Sequence, residues 1–117
     1  MIARVYSAQP SVLGADIVTI ETDLSRGLYS FSVVGLPDKA VEEARDRMSA
    51  AVKNSGFDSP KSTNHKIIVS LAPADLRKEG PLFDLPMAVG YLVAAGAGKG
   101  SAAALAKGLI IGEVSLD

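Results

Sequence analysis

The residues whose types and spacing best suit chemistry lie in one run, Leu71-Ala-Pro-Ala-Asp-Leu-Arg-Lys-Glu-Gly-Pro-Leu-Phe-Asp84. An apolar strand pattern passes there through a charged Gly-Pro loop into an apolar helix pattern. Loops that follow the carboxyl ends of strands gather function, and free amides at the next helix N-terminus can hold an anion or oxyanion. Asp75, Arg77, Lys78 and Glu79 supply the charge, and Gly80 and Pro81 shape the bend. A plainer account is equally open, in which these are solvated loop charges around an ordinary turn.

Two other segments invite chemistry and carry less of it. Ala95-Gly-Ala-Gly-Lys-Gly-Ser101 resembles a phosphate-binding loop, but that pattern needs Gly where Val93 stands and Ser or Thr where Gly100 stands. It also follows a helix pattern instead of a strand, so its amides would not open toward a helix N-terminus. A flexible connector is the simpler reading. His65 is the only histidine and there is no cysteine, so a metal site or a histidine-based triad would have to be assembled from scattered carboxylates. With Ser62, Thr63 and Asn64 before it, His65 reads as a loop residue.

The elements that must position these residues follow from periodicity. Residues 2–7 and 16–23 are rich in β-branched side chains and are separated by a Gln-Pro-Ser stretch and Gly14, which predicts two strands joined by a loop. In residues 28–34, Tyr29, Phe31 and Val33 alternate with Ser30 and Ser32, the period of a third strand. Three consecutive strands suggest a meander. Asp38 is placed to cap a helix in which Val41, Ala44, Met48, Ala51, Val52 and Ser55 recur at helical spacing until Gly56. Its outer face carries Glu42, Glu43, Arg45, Asp46, Arg47 and Lys53, with Glu43 and Arg47 spaced for an ion pair.

Residues 66–71 contain Ile67-Ile68-Val69, a continuous apolar run that suits a strand covered on both faces. Residues 83–95 are apolar on nearly every side, with Pro86 tolerable in the first turn, and predict a buried helix. Gly90 inside that helix points to a close backbone approach. A short helix over 101–107 and a strand at 109–111 complete the order β-β-β-α-β-α-(α)-β. The fold class expected is α/β (α+β), a mixed sheet of about four to five strands carrying two main helices.

Bulk properties bound the partners. A chain of 117 residues suits a single domain, and 12 Lys+Arg against 13 Asp+Glu leave a formal charge of -1, with no global field to attract nucleic acid. Hydrophobic content of 48% argues for a packed core. No signal-peptide pattern opens the chain and no apolar run reaches the roughly 18 residues of a membrane span, so the expected location is cytoplasmic, away from membranes. The stop at Asp117, straight after an apolar segment, reads as an artificial edge and not as a natural C-terminus.

Three ordered motifs carry a family resemblance: Gly35-Leu-Pro-Asp38, Lys53-Asn-Ser-Gly-Phe57, and the long run from Leu71 to Ala88, followed by Gly112-Glu113. With this spacing, the chain resembles the N-terminal domain of the ComM-like (YifB) Mg-chelatase-related AAA+ ATPases from Met1 to Asp117. That resemblance implies a ribosomal protein S5 domain 2-type fold, shared with the proteolytic domain of Lon proteases, and a left-handed crossover. Lon-type proteases place a nucleophilic Ser directly after a Lys-Asp-Gly-Pro-like loop. Here that position is Leu82, which has no lone pair to attack a carbonyl.

The resemblance implies a non-catalytic accessory domain with no cofactor of its own. ATP and Mg would belong to a downstream AAA+ module, in a homo-hexamer that drives DNA branch migration during natural transformation. A Lon-type peptidase and an accessory part of a magnesium chelatase subunit are the competing functions. Arg45, Arg47 and Lys53 on the first helix, with Arg77 and Lys78 in the loop, are the candidates for direct DNA contact, diluted by acidic neighbours.

Overall fold

Alternation of buried and exposed side chains builds the sheet. The computed structural model describes residues 2–96. Strand β1 (Ile2–Ser11) turns its Ala3, Val5, Ser7 and Gln9 inward, and β2 (Gly14–Arg26) does the same with Val18, Ile20, Thr22 and Leu24. The two pair antiparallel from Ile2↔Asp23 to Ser11↔Gly14. The expected Gln-Pro-Ser loop is therefore strand. Pro10 is accommodated because β1 is an edge strand paired with β2 alone, where a missing N–H need not break a ladder. Val12 and Leu13 make the turn, and Gly14, at φ +130°, takes up backbone geometry that a side chain would resist.

Strand β3 (Ser30–Val34) buries Phe31 and half-buries Val33, as its period of two predicts. It does not continue a meander. The sheet order is β1-β2-β4-β3, with β4 (His65–Ala72) inserted between β2, to which it is antiparallel, and β3, to which it is parallel. A parallel neighbour requires a crossover, and helix α1 (Lys39–Asn54) provides it. Strand β4 is central but covered on one face by the described elements. Ile67, Val69 and Leu71 are buried, whereas Ile68 and Ser70 are half-buried and Lys66 and Ala72 exposed, so the apolar run at 67–69 conceals an ordinary alternation.

Helix α1 begins where Asp38 Oδ1 accepts from the Val41 amide at 2.8 Å. It buries Val41, Ala44, Met48 and Val52 and ends as Gly56 turns to φ +93°. A short 3₁₀ turn (Pro60–Ser62) leads into β4. Helix α2 (Asp84–Ala94) lies against β1 and β2, and α1 packs beside it and onto β3. The core is thus one layer between the helices and a single sheet face, joining Ile20, Leu71 and Phe31 to Met48, Met87 and Tyr91. The close approach expected at Gly90 is present: a Cβ there would meet Thr22 Oγ1 at 3.0 Å.

The architecture is mixed α/β in the expected order, compatible with the S5 domain 2-type fold. The helix expected at 101–107 and the strand at 109–111 lie outside the described residues. Among the described residues, no helix is long and apolar enough to cross a membrane.

Candidate functional site: the loop between β4 and α2

Four anchors hold the loop that joins β4 to α2: two from the β3–α1 connection, one from the β1–β2 hairpin and one internal. Gly35, at φ +106°, lets the β3–α1 connection press onto β4, since a Cβ there would stand 2.0 Å from the Leu71 carbonyl oxygen. That approach brings Pro37 into a parallel bridge with Lys78. The Lys78 amide donates to Leu36 O at 2.9 Å, and the Asp38 amide donates to Lys78 O at 2.9 Å. The Asp38 carboxylate acts twice, since its Oδ2 accepts from the Gly80 amide at 3.1 Å while Oδ1 caps α1.

Gln9 supplies the anchor from the hairpin. Its Nε2 donates to Arg77 O at 2.8 Å and its Oε1 accepts from the Glu79 amide at 3.1 Å, so one side chain imitates a strand partner. The fourth anchor is internal. Lys78 is fully buried and its ammonium donates to the carbonyl of Pro73, which follows a cis Ala72–Pro73 bond. Desolvation holds the Lys78 pKa below the ordinary lysine range, opposed by the attraction of Asp75.

The remaining charges point elsewhere. Asp75, Arg77 and Glu79 are exposed, and Arg77 and Glu79 approach each other only to 3.8 Å, a contact worth little in water. Pro81 and Leu82 are half-buried. Gln9, Pro10, Glu79, Gly80, Pro81 and Leu82 line a pocket of about 260 Å³. Three amides along the loop and the head of α2 are engaged: Glu79 N by Gln9, Gly80 N by Asp38, and Asp84 N by Pro81 O at 3.2 Å. At the head of α2 the negative charge is already supplied by Asp84, whose carboxylate is fully buried.

Arg47 answers that carboxylate. Its Nε meets Asp84 Oδ2 at 2.6 Å and its Nη2 meets Asp84 Oδ1 at 2.8 Å, the forked geometry that suits guanidinium and carboxylate. Nη2 also donates to Ala40 O at 2.8 Å, and the expected pair with Glu43 is present at 3.9 Å. Arg47, read from the sequence as an outer-face residue for DNA, is thus committed to an interior partner. Arg45 donates to Phe31 O at 3.3 Å from an exposed position, and Lys53 is exposed near the end of α1. The structure brings Lys78, Gly80 and Pro81 together with Gln9 and Asp38, and leaves Arg45 and Lys53 apart from them.

His65 is the first residue of β4, not a loop residue. Its Nδ1 is buried without a hydrogen-bond partner, beside an open pocket of about 530 Å³ that Arg26, Gly27, Leu28 and Asn64 also line. Sequence reasoning missed Gln9 and Asp84 as structural partners of the site. The signals were slight but real: Gln9 continues the inward series of Ala3, Val5 and Ser7, and Asp84 is a lone carboxylate heading an apolar helix.

Comparison with known proteins shows the family. Residues 20–117 match the family ChlI, described as subunit ChlI of Mg-chelatase. The chain belongs to the ChlI family. Within it, this ChlI-family chain is ComM/YifB-like: it is 50% identical over 93 residues to competence protein ComM of Haemophilus influenzae, covering 80% of this chain and 18% of that protein. It is 45% identical over 93 residues to uncharacterized protein YifB of Salmonella typhimurium, covering 80% of this chain and 18% of that protein. An uncharacterized protein of Mycobacterium bovis is 38% identical over 116 residues, covering 99% of this chain and 22% of that protein. The chain therefore spans about a fifth of the length of the curated relatives it matches.

Among the described residues, the Glu79 and Gly80 amides are bonded within the fold, and no three His, Cys, Asp or Glu side chains gather as metal ligands.

Proposed function

We propose that this chain is a non-catalytic N-terminal accessory module of a longer Mg-chelatase-like AAA+ ATPase that processes DNA. The observation that carries the non-catalytic half is at residue 82. A half-buried leucine follows the Lys78-Glu-Gly-Pro81 loop, and the nearby lysine amine is buried against a backbone carbonyl, so the position where Lon-type proteases carry serine offers no hydroxyl and this lysine offers no accessible amine to activate one. Its role is shape. ATP, Mg and hydrolysis belong to a module outside these residues, in a cytoplasmic homo-hexamer. The relative named a competence protein supports DNA processing during natural transformation as the setting.

Two measurements test this. The purified chain should leave a fluorogenic peptide library uncleaved, and turnover that a Lys78→Ala change abolishes would overturn the non-catalytic assignment. The full-length protein should hydrolyse ATP, and a full-length protein without ATP turnover would remove the motor. The family description favours one second reading, an accessory part of a magnesium chelatase subunit. Calorimetric titration decides it, since tight porphyrin binding by this chain would replace DNA processing with chelation.

A further inference from the structure

Val12 and Leu13 have relative exposures of 102% and 100% and sit side by side at the turn of the β1–β2 hairpin. Turn chemistry does not ask for them. Hairpin turns favour Gly, Asn and Asp, and here only Gly14, with φ +130°, meets that demand. The hairpin also projects. Pairing between β2 and β4 stops at Thr19↔Ala72, while pairing with β1 continues to Ser11↔Gly14, so the far end of the ribbon extends past the sheet.

The projection is held firmly at its base and left bare at its end. Ser7, Ala8 and Gln9 are buried, and Gln9 is bonded to the backbone at Arg77 and Glu79. Beyond Gln9 the exposed side chains include Pro10, Val12, Leu13 and the half-open Ile17, at 54%. Adjacent apolar side chains at full exposure on a braced tip form a knob that is preorganised for a pocket.

We propose that this hairpin tip docks into an apolar pocket on the part of the polypeptide that the relatives carry outside the matched fifth. The inference rests on the reading of this chain as one module of a longer ATPase. Size selects that occupant over a second free copy. A stable complex between separate proteins buries about 800 Å² on each partner, and a tip of four side chains offers only a small part of that. A tethered module meets the tip at an effective concentration of roughly millimolar, where a small apolar contact suffices.

Hydrogen–deuterium exchange on the full-length protein and on the 117-residue chain tests the docking. Residues 11–16 should exchange at least about tenfold more slowly in the full-length protein. Val12→Ser with Leu13→Ser should erase that protection and leave the melting temperature of the short chain unchanged, because neither side chain is buried there. Equal exchange in the two contexts overturns the inference. So does protection of the short chain that grows with its own concentration, which would assign the tip to a second copy. ATP turnover measured in parallel separates the two ideas: turnover with an unprotected tip sinks only the docking, and protection without turnover sinks only the ATPase.

Discussion

Two buried charges at the β4–α2 loop differ in how they are met, and each makes a separate demand on stability. Asp84 is fully buried and takes a forked pair of bonds from Arg47, so removing the arginine leaves a carboxylate in the interior without that partner. Arg47→Ala should cost about 3–5 kcal/mol in urea unfolding, and Arg47→Met with Asp84→Leu should recover most of the loss. A single-mutant cost below about 1 kcal/mol would show the pair to be solvated. Lys78 behaves differently because burial lowers its pKa from the ordinary 10.5. Between the lowered value and 10.5 the unfolded chain still holds a proton that the folded chain has released, so stability rises with pH across that window. Lys78→Met should flatten this alkaline rise in a series of unfolding curves, and an unchanged slope would assign it to other groups. The loop itself was visible in the sequence as a dense charged run. Its internal wiring was not, because the partners of its backbone, Gln9 and Asp38, lie 70 and 42 residues away and are chosen by the sheet.

Elements were legible wherever the signal was local. Helix α1 announced itself through the Asp38 cap, the inward series ending at Val52 and the stop at Gly56. The alternation of Phe31 and Val33 with serines gave β3 its face. Strand order was not legible, because nothing in residues 28–34 states whether β2 or β4 will be the neighbour. The crossover through α1 makes that choice, and it depends on packing between segments far apart in the chain. Helix α2 shows how such packing overrides propensity. Ala is preferred to Gly inside a helix by about 1 kcal/mol, but a Cβ at residue 90 would meet Thr22 Oγ1 at 3.0 Å and Val5 Cγ2 at 3.5 Å. Thr22 is fully buried and its hydroxyl has no hydrogen-bond partner, so it cannot swing toward water to make room. Gly90→Ala should therefore destabilise by about 1 kcal/mol, and adding Thr22→Ala should reverse the loss, with a coupling above about 0.5 kcal/mol in a thermal-denaturation cycle. Additive effects would mean that the helix shifts away from the sheet.

At the scale of the molecule, the distribution of charge limits what this module can do with DNA. The formal charge is -1, and five basic side chains on α1 and the loop were candidates to offset it locally. The fold withdraws two of them: Arg47 is bound to Asp84, and the Lys78 amine is buried against Pro73 O. Arg45, Lys53 and Arg77 stay exposed, with Arg77 facing Glu79. Each phosphate neutralised on a single strand contributes about -0.7 to the slope of log K against log salt, so three contacts give a slope of about -2 at most. Fluorescence anisotropy of a labelled single strand, titrated with the isolated chain across a salt series, should show either no binding or a slope no steeper than that. A steeper slope would mean that basic side chains beyond these three, such as the exposed Arg26, Lys39, Lys61 and Lys66, join the contact. If the proposed DNA-processing function holds, the slope for the full-length protein should steepen well beyond about -2, because a protein that tracks DNA grips many phosphates and these three side chains meet only a few. If both proteins gave the same slope, the grip on DNA would lie in this domain, and its part in the motor would be to hold the strand instead of bracing the machinery.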